Sequence, residues 1–272
     1  MACLAVYLMF GSAIECTGLL AKHELKFPAA PGLMGCLGIM VAALIPMLWP
    51  IGGAAYPPDC LLGELGWPLT ATACALLGCF IWFMRHYTAN SNAMLQAMVA
   101  GWVAAYFGIS FSFWLALRLI GDSGWGLTLA VGMIVITKFS DAGAYFAGRS
   151  LGRTNLCPQV SPGKTVEGLC GGIITAIIAA IIYFDWFASS LFGGDRVSVD
   201  WFGCAIMGIG LTLAGLVGDL SQSMVKREVG AKDSGRLLPG LGGLWDVTDS
   251  LLPAGVVGYI LVVAGIVSGP GQ

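Results

Sequence analysis

The chain is 272 residues long, 57% hydrophobic and only 10% charged, with a formal net charge of −2 and a mean hydropathy of +0.85. A soluble domain carries about 25% charged residues, so the composition excludes an ordinary soluble fold. The charge balance also excludes the basic face that nucleic-acid binding requires.

A helix needs roughly 20 apolar residues to cross the hydrocarbon of a bilayer. In chain order, stretches of that kind run over about 1–21, 32–52, 67–84, 95–117, 124–147, 168–184, 201–218 and 244–267. The expected fold class is therefore all-α, a polytopic integral membrane bundle of about eight transmembrane helices. Many of its 40 glycines lie inside these runs, where they let membrane helices approach closely. No repeat or linker divides the chain, and residues 1–272 read as one domain.

The basic residues test this count. Lys22, Lys26, Arg85, Arg149, Arg153, Lys164, Lys226, Arg227, Lys232 and Arg236 fall in the odd-numbered loops. Arg118 and Arg196 fall in the even ones, with Asp59, Glu64, Asp122, Asp185, Asp195 and Asp200, while Lys138 lies inside a span. The positive-inside rule then places the odd loops in the cytoplasm and both termini outside. The expected location is the cell (inner) membrane, with a polar site built from cytoplasmic loops. No Lys or Arg precedes Lys22, so the basic start of a signal peptide is missing.

Glu15, in the first span, is either a buried hydrogen-bonding group or a residue near the interface. Asp141 follows Lys138 by three residues. The two form a local ion pair, or Asp141 faces the same polar cavity as Asp219. The nine cysteines are scattered without a CxxC pair and read as small hydrophobes rather than a metal or disulfide framework. His23 and His86 are the only histidines, too few for a histidine-rich metal site.

The fifth loop, 148–166, contains SPGKTVEG, but Pro158 stands where a Walker A motif needs its first glycine. The glycines of DAGAYFAGRSLGR lack dinucleotide-binding spacing. The seventh loop, 219–243, is more informative. Asp246 and Asp249 lie three apart and share a helix face, and Asp219 closes the preceding span. Carboxylates of this kind suit Mg²⁺, which is held by one or two acids plus substrate phosphates. Between them lie Lys226, Arg227, Lys232 and Arg236, cations that suit phosphates. A loop serving only topology or anionic-lipid anchoring needs no acids on the next helix.

Ser223-x-x-Lys226-Arg227, Lys232-Asp233, Pro239-Gly240-x-Gly242-Gly243 and Asp246-x-x-Asp249 together resemble the signature of the CDP-diacylglycerol synthase (phosphatidate cytidylyltransferase) family. The segment SDAGAYFAGRSLGRTNLCPQVSPGKTVEG is similar to that family's upstream cytoplasmic segment, and the resemblance runs from about Glu15 to the last helix. It implies transfer of a cytidylyl group from CTP to phosphatidate, giving CDP-diacylglycerol and pyrophosphate, with Mg²⁺ and room for a second cation. Asp219 and Asp246 would bind the metal, with Asp249 as a third acid. Lys226, Arg227 and Lys232 would neutralise phosphates, and Asp233 would order Lys232 or the metal's waters. Ser223 would donate to a phosphate, Gly242 and Gly243 would bring backbone close to it, and Asp141, Arg149 and Lys164 would complete the substrate pocket. The implied partners are CTP, phosphatidate and membrane lipids, without nucleic acid, and a homodimer is compatible with them.

Three departures accompany the resemblance. Leu241 stands where the family has His and Val247 stands where it has Arg, and the resemblance implies an earlier first span by which this sequence looks short. The first two remove an imidazole and a cation from the phosphate region. A divergent member with another lipid acceptor, or a non-catalytic lipid-binding descendant, is therefore the alternative. A polyprenol kinase or an ion-coupled transporter would share the spans, but a transporter gathers its polar groups at the midplane.

Overall fold

Long apolar runs bounded by glycine, proline and polar residues set the helices of this chain. The structure, a computed structural model, describes residues 2–21, 28–53, 56–57, 60, 62–88, 92–121, 123–188, 190, 200–235, 237 and 242–267. Lys22, His23, Lys26, Asp59, Asp122, Asp195, Arg196, Arg236, Pro239, Gly240 and Leu241 lie outside the described residues, as does the side chain of Glu64.

The helices are α1 (Ala2–Leu20), α2 (Ala30–Leu48), α3 (Gly63–Arg85), α4 (Ala93–Leu119), α5 (Ser123–Leu151), α6 (Val166–Ile181), α7 (Trp201–Glu228), α8 (Leu244–Thr248) and α9 (Leu251–Val263). Among the described residues, 8 segments are long and apolar enough to cross a membrane, the last running from Leu244 to Val263 across α8 and α9. The eight-span, all-α reading holds, and the chain is an integral membrane protein by this measure.

Two loops differ from expectation. The segment 148–166 is not a simple loop: α5 continues to Leu151, and strands β1 (Asn155–Cys157) and β2 (Ser161–Thr165) pair antiparallel. The expected loop from 219 begins as helix instead, because α7 runs on to Glu228. Lys226 and Arg227 occupy its last turn, where cations complement the helix dipole, and Gly230 follows in a left-handed conformation (φ 66°) that glycine adopts without strain.

The chain forms two compact units, whose boundaries fall within α4, within α7 and after α8. One comprises Met1–Ala116 with Glu228–Thr248. In it, α2 lies against α3 and α1 against α8. Its interior includes Met9, Ile39, Met40, Phe107 and Trp245, each almost fully buried. The Phe107 and Trp245 rings meet edge-on, with centroids 5.5 Å apart, and the Leu244 side chain packs over Gly11.

The other unit comprises Leu117–Arg227 with Asp249–Gln272. Its α5 and α6 pack so closely that a β-carbon at Gly143 would strike the Thr175 side chain, and one at Gly171 would strike Ala147. This is the small-residue packing expected of membrane helices. Ser140 on α5 hydrogen-bonds Thr212 on α7 across 2.8 Å, hydroxyl to hydroxyl. The Thr165 hydroxyl caps α6 by accepting from the Gly168 N–H at 3.1 Å, a standard way to satisfy a free helix-terminal donor. Glu167 Oε2 accepts from the N–H groups of Arg153 and Thr154, both at 3.1 Å, which ties the end of α5 to the start of α6.

Candidate active site

The predicted site residues divide between the two units. In the unit containing α5, α6, α7 and α9, helix extension carries Asp219, Ser223, Lys226 and Arg227 on one continuous rod. The β-hairpin delivers Lys164, whose Nζ lies 2.7 Å from Asp219 Oδ2, with the side chains 20% and 40% exposed. Ser223 Oγ donates to Asp219 Oδ1 at 3.3 Å, one turn along α7. Arg227 Nε donates to the Val160 carbonyl at 3.3 Å, so the hairpin is fastened to α7 at two points.

A second polar group lies on α5. Lys138 Nζ is 3.2 Å from Asp141 Oδ2 and donates to Ser250 Oγ at 2.9 Å, while Ser250 donates to Asp141 Oδ2 at 2.9 Å. Of the two readings left open for Asp141, the local ion pair with Lys138 is present, and Ser250 joins it. Next to Ser250, at the turn between α8 and α9, Asp249 is buried with its Oδ1 accepting from the Ser250 N–H at 2.6 Å. The charges of Asp219, Asp141 and Lys138 all reach Asp249. Arg149 donates to Tyr145 Oη one turn earlier on α5, at 3.0 Å.

No group of three or more His, Cys, Asp or Glu side chains is gathered to enclose a metal among the described residues. Mg²⁺ does not need one, since it is commonly held by one or two carboxylates with substrate phosphates and water. Asp219 and Asp249 carry hard carboxylate oxygens, the donor type such an ion takes.

In the unit containing α1 to α3 and α8, Lys232 and Asp233 are exposed. Asp246 Oδ2 accepts from the Ser234 N–H and the Gly243 N–H, both at 2.8 Å, and lies 2.9 Å from the Ser234 hydroxyl. Gly242 is left-handed (φ 87°), and a β-carbon there would sit 2.5 Å from Asp246 Oδ2. Asp246 thus fixes the backbone around Gly243, a task its place in the motif did not reveal. Glu15, reaching over from α1, accepts from the Leu244 and Trp245 N–H groups, both at 2.9 Å, and lies 3.0 Å from the Ser234 hydroxyl. Glu15 is thus the hydrogen-bonding group that one reading of the first span allowed, with partners up to 230 residues away that its place in an apolar span does not identify.

Each of the two units carries acids and phosphate-suited cations, in a chain with eight membrane-length apolar helices among its described residues. The chain belongs to the cytidylyltransferase family, whose profile matches residues 4–264. It is 41% identical over 129 residues to the phosphatidate cytidylyltransferase of Haemophilus influenzae, covering 47% of this chain and 43% of that protein. It is 32% identical over 237 residues to the phosphatidate cytidylyltransferase of Staphylococcus saprophyticus, covering 86% and 80%. It is also 36% identical over 158 residues to the uncharacterized protein YnbB of Escherichia coli, covering 58% and 50%. For the Haemophilus and Escherichia proteins, the match thus spans half of their length or less.

Proposed function

We propose that this protein transfers the cytidylyl group of CTP to the phosphate of phosphatidate, releasing pyrophosphate. A phosphatidate oxygen forms a bond to the α-phosphorus of CTP as the bond from that phosphorus to the β-phosphate bridge oxygen breaks. Reactions of this type depend on positioning and charge neutralisation rather than on a covalent enzyme intermediate. The observation that carries the reading is Lys164 held against Asp219 beside buried Asp249, in a chain matched almost throughout by the family profile.

Mg²⁺, when bound, would supply positive charge to the phosphates at the donor-set pair Asp219 and Asp249. Lys164 and Lys226 would hold phosphate oxygens, and Arg227 would keep the hairpin against α7 through Val160. Ser223 would donate to phosphate when it leaves Asp219. Lys138 and Ser250 would keep Asp141 oriented. Lys232 and Asp233 are exposed, a cation and an acid of the types that suit a phosphate and its ion. The excess of Lys and Arg in odd loops supports a site on the cytoplasmic face of the cell membrane.

The test is pyrophosphate release by purified protein in phosphatidate-containing micelles. Release that requires both CTP and phosphatidate is expected. CTP binding without release would instead assign a lipid-binding role to a chain carrying Leu241 and Val247.

A further inference from the structure

Glu15 is the one acid of the first span, and its carboxylate holds both ends of the segment between Ser234 and Leu244. Oε2 lies 3.0 Å from the Ser234 hydroxyl and accepts from the Trp245 N–H at 2.9 Å, while Oε1 accepts from the Leu244 N–H at 2.9 Å. The Ser234 hydroxyl is also 2.9 Å from Asp246 Oδ2, and Asp246 binds the Gly243 N–H. Two carboxylates from sequence-distant elements therefore meet at one hydroxyl.

The backbone is shaped to admit Glu15. A β-carbon at Gly235 would sit 2.5 Å from Glu15 Oε1, and one at Gly243 would strike Glu15 Oε2 and the Ser234 hydroxyl. Glycine stands on both sides of the carboxylate, where any other residue would displace it. A carboxylate in an apolar span is costly unless partnered, and here its partners are backbone donors and a hydroxyl of the signature segment. Hydrogen bonds to a charged group are the strong ones, and leaving a partly buried donor unmatched is costly.

We propose that Glu15 is a positioning residue for the cytidylyl transfer. With Ser234 it clasps the two ends of the Gly235–Gly243 segment and so fixes where Gly242, Gly243 and Asp246 present themselves. The proposal rests on the transferase reading for its kinetic consequence, but the clasp itself is a property of the fold. Glu15 touches neither substrate nor metal in this role. It acts through Ser234 and the backbone of residues 244 and 245.

The experiment compares the full-length wild type with Glu15→Gln, Ser234→Ala and the double variant, each in detergent–lipid micelles. Gln is isosteric but presents an NH₂ group where one carboxylate oxygen stood, which opposes an N–H or O–H donor. The first readout is the rate of tryptic cleavage after Arg236, which needs no activity. The second is kcat and KM for CTP with phosphatidate as acceptor.

Glu15→Gln should speed cleavage and lower kcat by about tenfold or more each, the scale of a lost charge-assisted bond, with KM for CTP changed less than kcat. Ser234→Ala should give a smaller change of the same kind. The double variant should be no worse than Glu15→Gln, because both substitutions open one clasp. Cleavage of Glu15→Gln at the wild-type rate, or losses that multiply in the double variant, would overturn the proposal. If Glu15→Gln does not accumulate, Ser234→Ala decides alone, and wild-type cleavage and kcat in that variant would overturn it. A wild type that makes no product from CTP and phosphatidate would sink the transferase reading, while the cleavage rates would still decide the clasp.

Discussion

Replacing Lys164 by Met removes a cation and keeps most of the side-chain volume. In the native protein its Nζ is 2.7 Å from Asp219 Oδ2, and the two side chains are 20% and 40% exposed. Fully exposed ion pairs contribute about 0.2–1 kcal/mol, whereas removing one partner of a buried pair costs about 3–5 kcal/mol. A pair at intermediate exposure should lose about 1–2 kcal/mol of stability. The loss is felt by Asp219, which keeps its hydrogen bond from Ser223. If Lys164 also meets a phosphate oxygen, a further charge-assisted bond of about 1.5–3 kcal/mol disappears. Together these predict a fall in kcat/KM for CTP of roughly 10- to 100-fold, accompanied by a small drop in thermal midpoint. Lys164→Arg keeps the charge but not the point geometry and should fall between the two. Steady-state kinetics in phosphatidate micelles, paired with thermal denaturation of the same preparations, separates the effects. Lys164→Met with kcat/KM within twofold of wild type would refute a phosphate-binding role and leave only the ion pair.

Asp219→Asn and Asp249→Asn should each reduce turnover by about two orders of magnitude or more and shift the Mg²⁺ dependence to higher concentration, since a carboxylate ligand is lost. Turnover near the wild-type level in either variant, at equal protein in the membrane, removes that residue from the metal role. Gly171→Val should destabilise the α5–α6 packing by about 1–3 kcal/mol, the usual cost of overpacking, seen as a lower thermal midpoint in detergent. An unchanged midpoint would mean that the close approach of Gly171 to Ala147 is dispensable. In a variant retaining only Cys157, which lies on β1, a membrane-impermeant maleimide should react in inside-out vesicles and not in right-side-out ones. The opposite pattern would reverse the topology.

The spans were legible because the bilayer demands a run of roughly 20 apolar residues, a signal that survives uncertainty at each end. Where a helix leaves the hydrocarbon, that signal stops. Asp219 to Glu228 therefore read as loop although α7 continues through them. The hairpin at 155–165 was illegible because strands of 3 and 5 residues offer no alternation to detect. Within the site, Lys138 and Asp141 could be paired from their spacing, since residues three apart share a helix face. The participation of Ser250, 109 residues beyond Asp141, could not. The signature acids drew notice as metal ligands because carboxylates beside cations suggest Mg²⁺ and phosphate. That same chemistry hid the backbone-fixing role of Asp246, and Glu15 had no local pattern at all.

Double-labelled CTP reports the identity of the transferred group directly. Protein reconstituted with phosphatidate is given CTP carrying one label at the α-phosphorus and another at the γ-phosphorus. Cytidylyl transfer puts the α label in the lipid fraction and the γ label in pyrophosphate, in equal amounts. The γ label in the lipid fraction would show a kinase, and neither label there, with CTP bound, would show a protein that holds nucleotide without transferring it.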